Sequence, residues 1–272
     1  MNTPKNVIDN FVNVGIANKV IKCTLFFYVV GIAKAQLRGG KLMLLSMMAG
    51  AYIAIGGVLS VVAGFGFPEL TAGNPSLQRL LSGAAFPIGL ILVVILGAEL
   101  FTGNNAVLMP AALQGKISPW AAVRNWVAVY LGNFMGALLF TMLFVYAVGL
   151  TAAEPYHGAV QRIAEAKVAM PWHVVLLKGI GANWFVCLAV WLAASAKTML
   201  AKMAGCWLPV MAFVALGYEH SIANMFFIPI GMLEGADVTL HQFFIANLLP
   251  ATIGNIIGGA LLVGSAYTYV NR

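Results

Sequence analysis

The chain has 272 residues, of which 61% are apolar and only 8% are Asp, Glu, Lys or Arg. A soluble domain carries about a quarter charged residues, and a mean hydropathy of +0.92 leaves too little polar surface for a water-facing fold, so the composition describes a polytopic membrane protein. The net charge of +7 is no nucleic-acid footprint, because the basic residues stand singly between apolar stretches instead of clustering on one face among aromatics; no nucleic-acid partner is expected.

Residues 1–40 read as a cytoplasmic N-terminal arm. They show no cleavable signal peptide, since the first 22 residues hold no continuous apolar core. The apolar run 23–33 would reach only about 16 Å as a helix, short of a hydrocarbon core of ~30 Å. Flanked by Lys19, Lys22, Lys34 and Arg38, it predicts an interfacial or docking helix, the alternative being a loosely packed arm.

Residues 41–270 form the transmembrane domain. Six stretches are long enough to span: 42–67, 80–112, 119–150, 170–196, 204–233 and 242–269. With the N-terminus inside, the cytoplasmic face collects Lys5, Lys19, Lys22, Lys34, Arg38, Lys41, Lys116, Arg124, Lys197, Lys202 and Arg272. The opposite face has Arg79, Arg162 and Lys167, together with Glu69, Glu154, Glu165, Glu234 and Asp237. Eleven basic residues against three favour six spans with both termini cytoplasmic.

An internal repeat organises the domain. Gly97-Ala-Glu99-Leu-Phe-Thr-Gly-Asn104 and Gly217-Tyr-Glu219-His-Ser-Ile-Ala-Asn224 share Gly, Glu and Asn at one set of offsets, 120 residues apart. Gly132-Asn133-Phe-Met-Gly136 matches Gly254-Asn255-Ile-Ile-Gly258, 122 residues apart. Repeat 1 covers about 42–150 and repeat 2 about 170–269. Three spans per unit force the second copy to enter from the other side, which predicts an all-α fold of two inverted three-helix repeats with spans 2 and 5 broken at the Gly-x-Glu motifs.

Polar groups at that depth face a cavity or the protein interior. Glu99, Asn104, Glu219 and Asn224 are expected to act as broken-helix scaffold, satisfying backbone groups that the breaks release. His220 differs, because repeat 1 has Leu100 in its place. A symmetric scaffold needs no histidine in one copy, and imidazole exchanges a proton near neutrality. The opposing reading is a hydrogen-bonded core histidine. His157, His173 and His241 fall at outer loops or span ends and read as surface groups. Lys178 lies about nine residues into span 4 and has no evident role. The three cysteines, Cys23, Cys187 and Cys206, are far apart with no CxxC or Cys/His spacing, so no disulfide framework, metal site or cofactor is expected.

Glu99-Leu-Phe-Thr-Gly-Asn104, Ala182-Asn183-Trp-Phe-Val-Cys-Leu-Ala-Val-Trp191 and Gly217-Tyr-Glu-His-Ser-Ile-Ala-Asn-Met225 together resemble the formate/nitrite transporter family. The resemblance runs from about residue 42 to 270, leaving the arm before residue 40 outside it. Leu208-Pro-Val-Met-Ala-Phe213, Phe227-Ile-Pro-Ile-Gly231 and the run from Leu249 to Gly259 look most like the formate channel branch. The resemblance implies an aquaporin-like six-helix protomer, a homopentamer in which each copy has its own pore, and a bacterial or archaeal cytoplasmic (inner) membrane. By position it implies His220 as central pore histidine and Thr102 beside it. It also implies Lys167, at the outer start of span 4, as anion-attracting lysine, with Asn183 lower in that span. Phe86, Leu90 and Phe213 would form the outer constriction, and Leu100 and Phe101 the inner one.

An anion in a low-dielectric constriction suffers a large desolvation cost that its protonated acid avoids. The expected mechanism has Lys167 drawing in a small anion, formate foremost, His220 exchanging a proton with it, and Thr102 and Asn183 orienting it. Nitrite and hydrosulfide are alternative substrates of similar size and charge. A water or glycerol pore would be expected to use paired Asn-Pro-Ala half-helices and an Arg filter. A membrane-embedded enzyme lacks a histidine cluster or nucleophile–base spacing here.

Overall fold

The computed structural model describes residues 17–271, with side chains described from Cys23 onward. The expectations for residues 1–16, for the side chains of Lys19 and Lys22, and for Arg272 lie outside the described residues. Within them all regular structure is helical. The helices used below are α1 Ala17–Gln36, α2 Gly39–Phe65, α3 Pro75–Leu96, α4 Phe101–Val107, α5 Pro119–Tyr146, α6 Tyr156–Val168, α7 Trp172–Ser195, α8 Met199–Ala215, α9 Ser221–Leu233 and α10 Gln242–Val270.

Among the described residues five helices, α2, α3, α5, α7 and α10, are long and apolar enough to cross a membrane. Helices α8 and α9 are apolar but hold only 17 and 13 residues. The stretches 80–112 and 204–233 are divided for one local reason. Gly97 and Gly217 adopt left-handed backbone, φ 71° and 70°, a conformation that ends a helix and that glycine tolerates without steric cost. The chain then runs extended to Leu100 (φ −107°, ψ 124°) and His220 (φ −106°, ψ 114°), which begin α4 and α9.

The Gly-x-x-x-Gly pairs pack within the chain. A Cβ on Gly136 would strike the Met47 carbonyl of α2, and one on Gly258 the Ile180 carbonyl of α7. These small residues therefore bring α5 against α2 and α10 against α7 at backbone contact. The two halves run in opposite senses. α2 starts beside Leu37, which lines one cavity with Val190, and ends at Phe65, which lines another with Lys178; α7 passes from Lys178 to Val190, in the reverse direction.

α1 is longer than its apolar run and docks closely. Cys23 and Phe27 are buried, Phe27 meets Trp191 edge-on at 4.8 Å, and Arg124 donates to the Ala35 carbonyl at 3.0 Å. On the outward face of α5, Val127, Leu131, Met135 and Leu139 recur every fourth residue and are exposed. Lipid or another apolar surface is needed to cover such a stripe.

Candidate functional site

Each helix break is held by an asparagine. Asn133 accepts from the Phe101 N–H at 2.9 Å and donates to the carbonyls of Ser46 at 2.7 Å and Glu99 at 2.8 Å. Asn255 accepts from the Ser221 N–H at 2.8 Å and donates to the carbonyls of Gly179 at 2.8 Å and Glu219 at 3.0 Å. The side chains thus take up backbone groups that a continuous helix would have paired internally.

The two glutamates also sit in matching networks. Glu99 accepts from Lys34 Nζ at 2.6 Å and Asn104 Nδ2 at 2.8 Å, while Asn125 binds Asn104 and donates to the Lys34 carbonyl. Glu219 accepts from Lys167 Nζ at 2.8 Å and Asn224 Nδ2 at 2.7 Å, while Asn247 binds Asn224, Glu219 and the Lys167 carbonyl. Side-chain exposure is 4% for Glu99 and 3% for Glu219, against 18% for Lys34 and 16% for Lys167. A carboxylate this buried requires its cation and hydrogen-bond donors.

The centre lies between these networks. His220 Nε2 stands 2.9 Å from Thr102 Oγ1, and both residues are buried. Nδ1 accepts the Ala223 N–H at 3.1 Å, capping α9. With Nδ1 committed as acceptor, the neutral ring carries its proton on Nε2 and donates to Thr102, leaving the threonine proton free for another acceptor. Charging the ring would set an N–H against the Ala223 N–H, so protonation requires the cap to open.

Two cavities approach this centre from opposite ends. The first, about 410 Å³, is lined by Phe86, Phe213, Lys167, Glu219 and His220. The second, about 480 Å³, is lined by Lys34, Glu99, Leu90, Leu100 and α1. No lining residue is shared between them, so packed side chains separate the two. Phe86 and Phe213 meet edge-on at 6.0 Å, and Phe213 stacks on the His220 ring at 5.9 Å.

Several expected placements change. Leu90 lines the second cavity beside Leu100 and not the first with the phenylalanines. Phe101 lines neither cavity; its ring packs edge-on against Tyr130 at 4.9 Å. Asn183 also lines neither, because its amide donates to the Thr102 carbonyl, Asn105 and the Asn255 carbonyl, tying α7 to α4 and α10. Lys167 belongs to the last turn of the separate helix α6 and not to span 4, since the chain leaves the helix before Pro171. His157 is half-buried rather than a surface group, with Nδ1 3.3 Å from Glu234. Lys178, without a role in the sequence, lines the first cavity.

Lys34, Asn125 and Asn247 escaped the reading of the sequence. The asparagines had a signal, because they are 122 residues apart, the same spacing as Asn133 and Asn255. Lys34 is 133 residues before Lys167, a spacing absent from the two motif pairs read in the sequence but shared in the structure by Ser46 with Gly179 and Met47 with Ile180. Among the described residues no cluster of His, Cys, Asp and Glu is placed to hold a metal ion.

The model of the formate/nitrite transporter family matches residues 26–269, reaching upstream of residue 40 into α1. The chain is 42% identical over 244 residues to a probable formate transporter of Methanothermobacter thermautotrophicus, covering 85% of this chain and 88% of that one. It is 37% identical over 256 residues to the formate channel FocA of Escherichia coli K12, covering 87% and 88% respectively. Two solved structures are similar. An FNT family ion channel has a TM-score of 0.84 at 32% identity, covering 94% of this chain and all of the other. A pentameric formate channel with formate bound has a TM-score of 0.73 at 33% identity, covering 85% and 96%. Through the family match over most of its length and these relatives, the chain belongs to the formate/nitrite transporter family, a family of transporters and not of enzymes.

Proposed function

We propose that the chain is a membrane channel for small monovalent anions, formate foremost, which pass between the two cavities by way of His220 and Thr102. The observation that carries this reading is the 2.9 Å contact of His220 with Thr102, buried between two cavities that each have a lysine–glutamate pair in their wall. The relatives described as formate transporters and channels support the choice of substrate.

In this mechanism Lys167 at one end and Lys34 at the other raise the local anion concentration. The apolar contacts of Phe86 with Phe213 on one side, and the Leu90 and Leu100 side chains on the other, oppose a bare charge. The anion crosses them as its neutral acid, after taking up a proton, and is steadied in the centre by the Nε2 donor and the threonine hydroxyl. His220 exchanges that proton only when its ring releases the Ala223 N–H. A proton that leaves with the substrate makes transport proton-coupled; one that returns to His220 makes it an anion channel.

On this reading the chain crosses a bacterial or archaeal cytoplasmic membrane six times, with both termini inside. Helices α3–α4 and α8–α9 form the two interrupted spans, and Phe101 and Asn183 support the central loop. Five copies form a ring, a reading supported by the similar pentameric channel, and the apolar stripe of α5 is covered by lipid or by a neighbouring copy.

Flux of formate, nitrite and hydrosulfide into liposomes of the purified protein, from pH 4 to 8, tests this. A formate preference that changes through pH 5–7 is the expected result. Equal passage of all three without pH dependence would remove both the formate assignment and the titrating centre.

A further inference from the structure

The two halves of the repeat match in backbone contacts at a place where their side chains differ. The Glu99 N–H donates to the Leu45 carbonyl at 3.2 Å, and the Glu219 N–H to the Lys178 carbonyl at 3.4 Å. Leu45 and Lys178 thus do the same scaffold work with their carbonyls. That work needs no ammonium, yet the second half has one, and it lines the first cavity.

Charge in that cavity is unbalanced. Arg79, Arg162 and Lys167 are the only basic residues that the topology count assigns to this face, and all three line the cavity with Lys178. The face's five acids, Glu69, Glu154, Glu165, Glu234 and Asp237, are absent from its lining, where Glu219 is the sole acid. Glu219 is taken by Lys167 at 2.8 Å, and among the described residues Arg79, Arg162 and Lys178 form no ion pair. Among the described residues the one hydrogen-bond partner of the Lys178 ammonium is the Met170 thioether, at 3.5 Å. A thioether is a weak acceptor, so an ammonium with three donors keeps its capacity for an anion. The second cavity has one lining lysine, Lys34, balanced by Glu99.

We propose that Lys178 is a substrate-affinity residue, whose uncompensated ammonium holds a small monovalent carboxylate, or an anion of like size, in the first cavity before it reaches the phenylalanines. This rests on the reading of that cavity as a mouth of the anion pathway. Lys167 is held in its pair with Glu219 and serves the loop as well as the substrate, whereas Lys178 is free to serve the substrate alone. The position is therefore where this chain sets its affinity at one end and not at the other.

The test places three charges at one position. Lys178→Cys is purified, and portions are treated in detergent with the aminoethyl or the sulfonatoethyl methanethiosulfonate before reconstitution. The native thiols Cys23, Cys187 and Cys206 are buried, and wild type treated in parallel controls for them. The half-saturating formate concentration for uptake should rise about fivefold in Lys178→Cys, the effect of one unit charge at contact distance in water. Aminoethylation should return it to within about twofold of wild type, and the sulfonate should raise it further. Lys178→Arg should stay near wild type. Because the three states share one purified batch, a folding defect cannot produce that order. Wild-type flux with a half-saturation indifferent to charge at position 178 would overturn the proposal alone. A wild-type protein that passes no anion would instead overturn the channel reading beneath it.

Discussion

His220 and Thr102 meet across 118 positions of sequence, one from each half of the repeat, and each lacks a polar counterpart in the other half. Leu100 stands at the place of His220, and Ile222 at that of Thr102. The polar centre is therefore a single pair laid over a symmetric frame. If the threonine hydroxyl bonds the substrate, Thr102→Val, which keeps shape and loses the hydroxyl, should lower formate flux tenfold or more while the protein remains folded. Thr102→Ser should recover most of it. Liposome flux alongside a melting curve checks both, and a fully active valine variant would remove the hydroxyl from the pathway.

The ring's cap on Ala223 allows its charge to be tested apart from its hydrogen bonds. Asparagine at position 220 can accept the Ala223 N–H through its carbonyl and still offer an amide donor, but it does not titrate. Wild-type formate flux should rise as pH falls from 7 to 5, where both the protonated acid and a charged ring gain population. In His220→Asn the rise should flatten to the part due to the acid itself. A pH profile superimposable on wild type would show that the histidine exchanges no proton.

Asn133 and Asn255 should matter to stability equally, because each satisfies one N–H and two carbonyls at its break. Alanine at either leaves those buried groups without partners, each costing about 1–3 kcal/mol. Both variants should lose folded protein in detergent at a similar, much lower temperature. A large fall for one and none for the other would break the equivalence.

The frame was legible because its signals are local. Gly97 and Gly217 each precede a Glu by two residues and an Asn by seven, and that pattern survives without any long-range contact. The contrast of His220 with Leu100 was legible for the same reason, as a departure from a pattern already found. What resisted reading depends on the direction a side chain takes after a break. Leu90 and Phe101 are apolar residues whose cavity is decided by how α3 and α4 sit after Gly97, which periodicity over a few residues does not determine. Lys34 reaches Glu99 over 65 positions, and its offset of 133 from Lys167 differs from the 120 and 122 of the motifs, so the motif spacing alone does not point to it. Lys167 carried a missed clue, since Pro171 follows it and proline commonly stands just beyond a helix end.

The lysine–glutamate pairs allow structural and functional work to be separated. Lys167→Met leaves the Glu219 carboxylate buried without its cation, and breaking a buried pair from one side costs about 3–5 kcal/mol. Adding Glu219→Gln removes the stranded charge and keeps groups able to bond Asn224 and Asn247, so the double variant should recover most of the lost thermal stability. Its formate half-saturation should nevertheless remain raised, because the ammonium that gathers anions is still missing. The matching double variant at the other end, Lys34→Met with Glu99→Gln, should recover stability in the same way, since its network repeats the contacts of the first. Thermal unfolding and flux measured on all four single and two double variants check this. If the Lys167→Met, Glu219→Gln protein regains both stability and wild-type half-saturation, Lys167 serves the loop alone, and anion capture at that end falls to the remaining basic residues of the cavity.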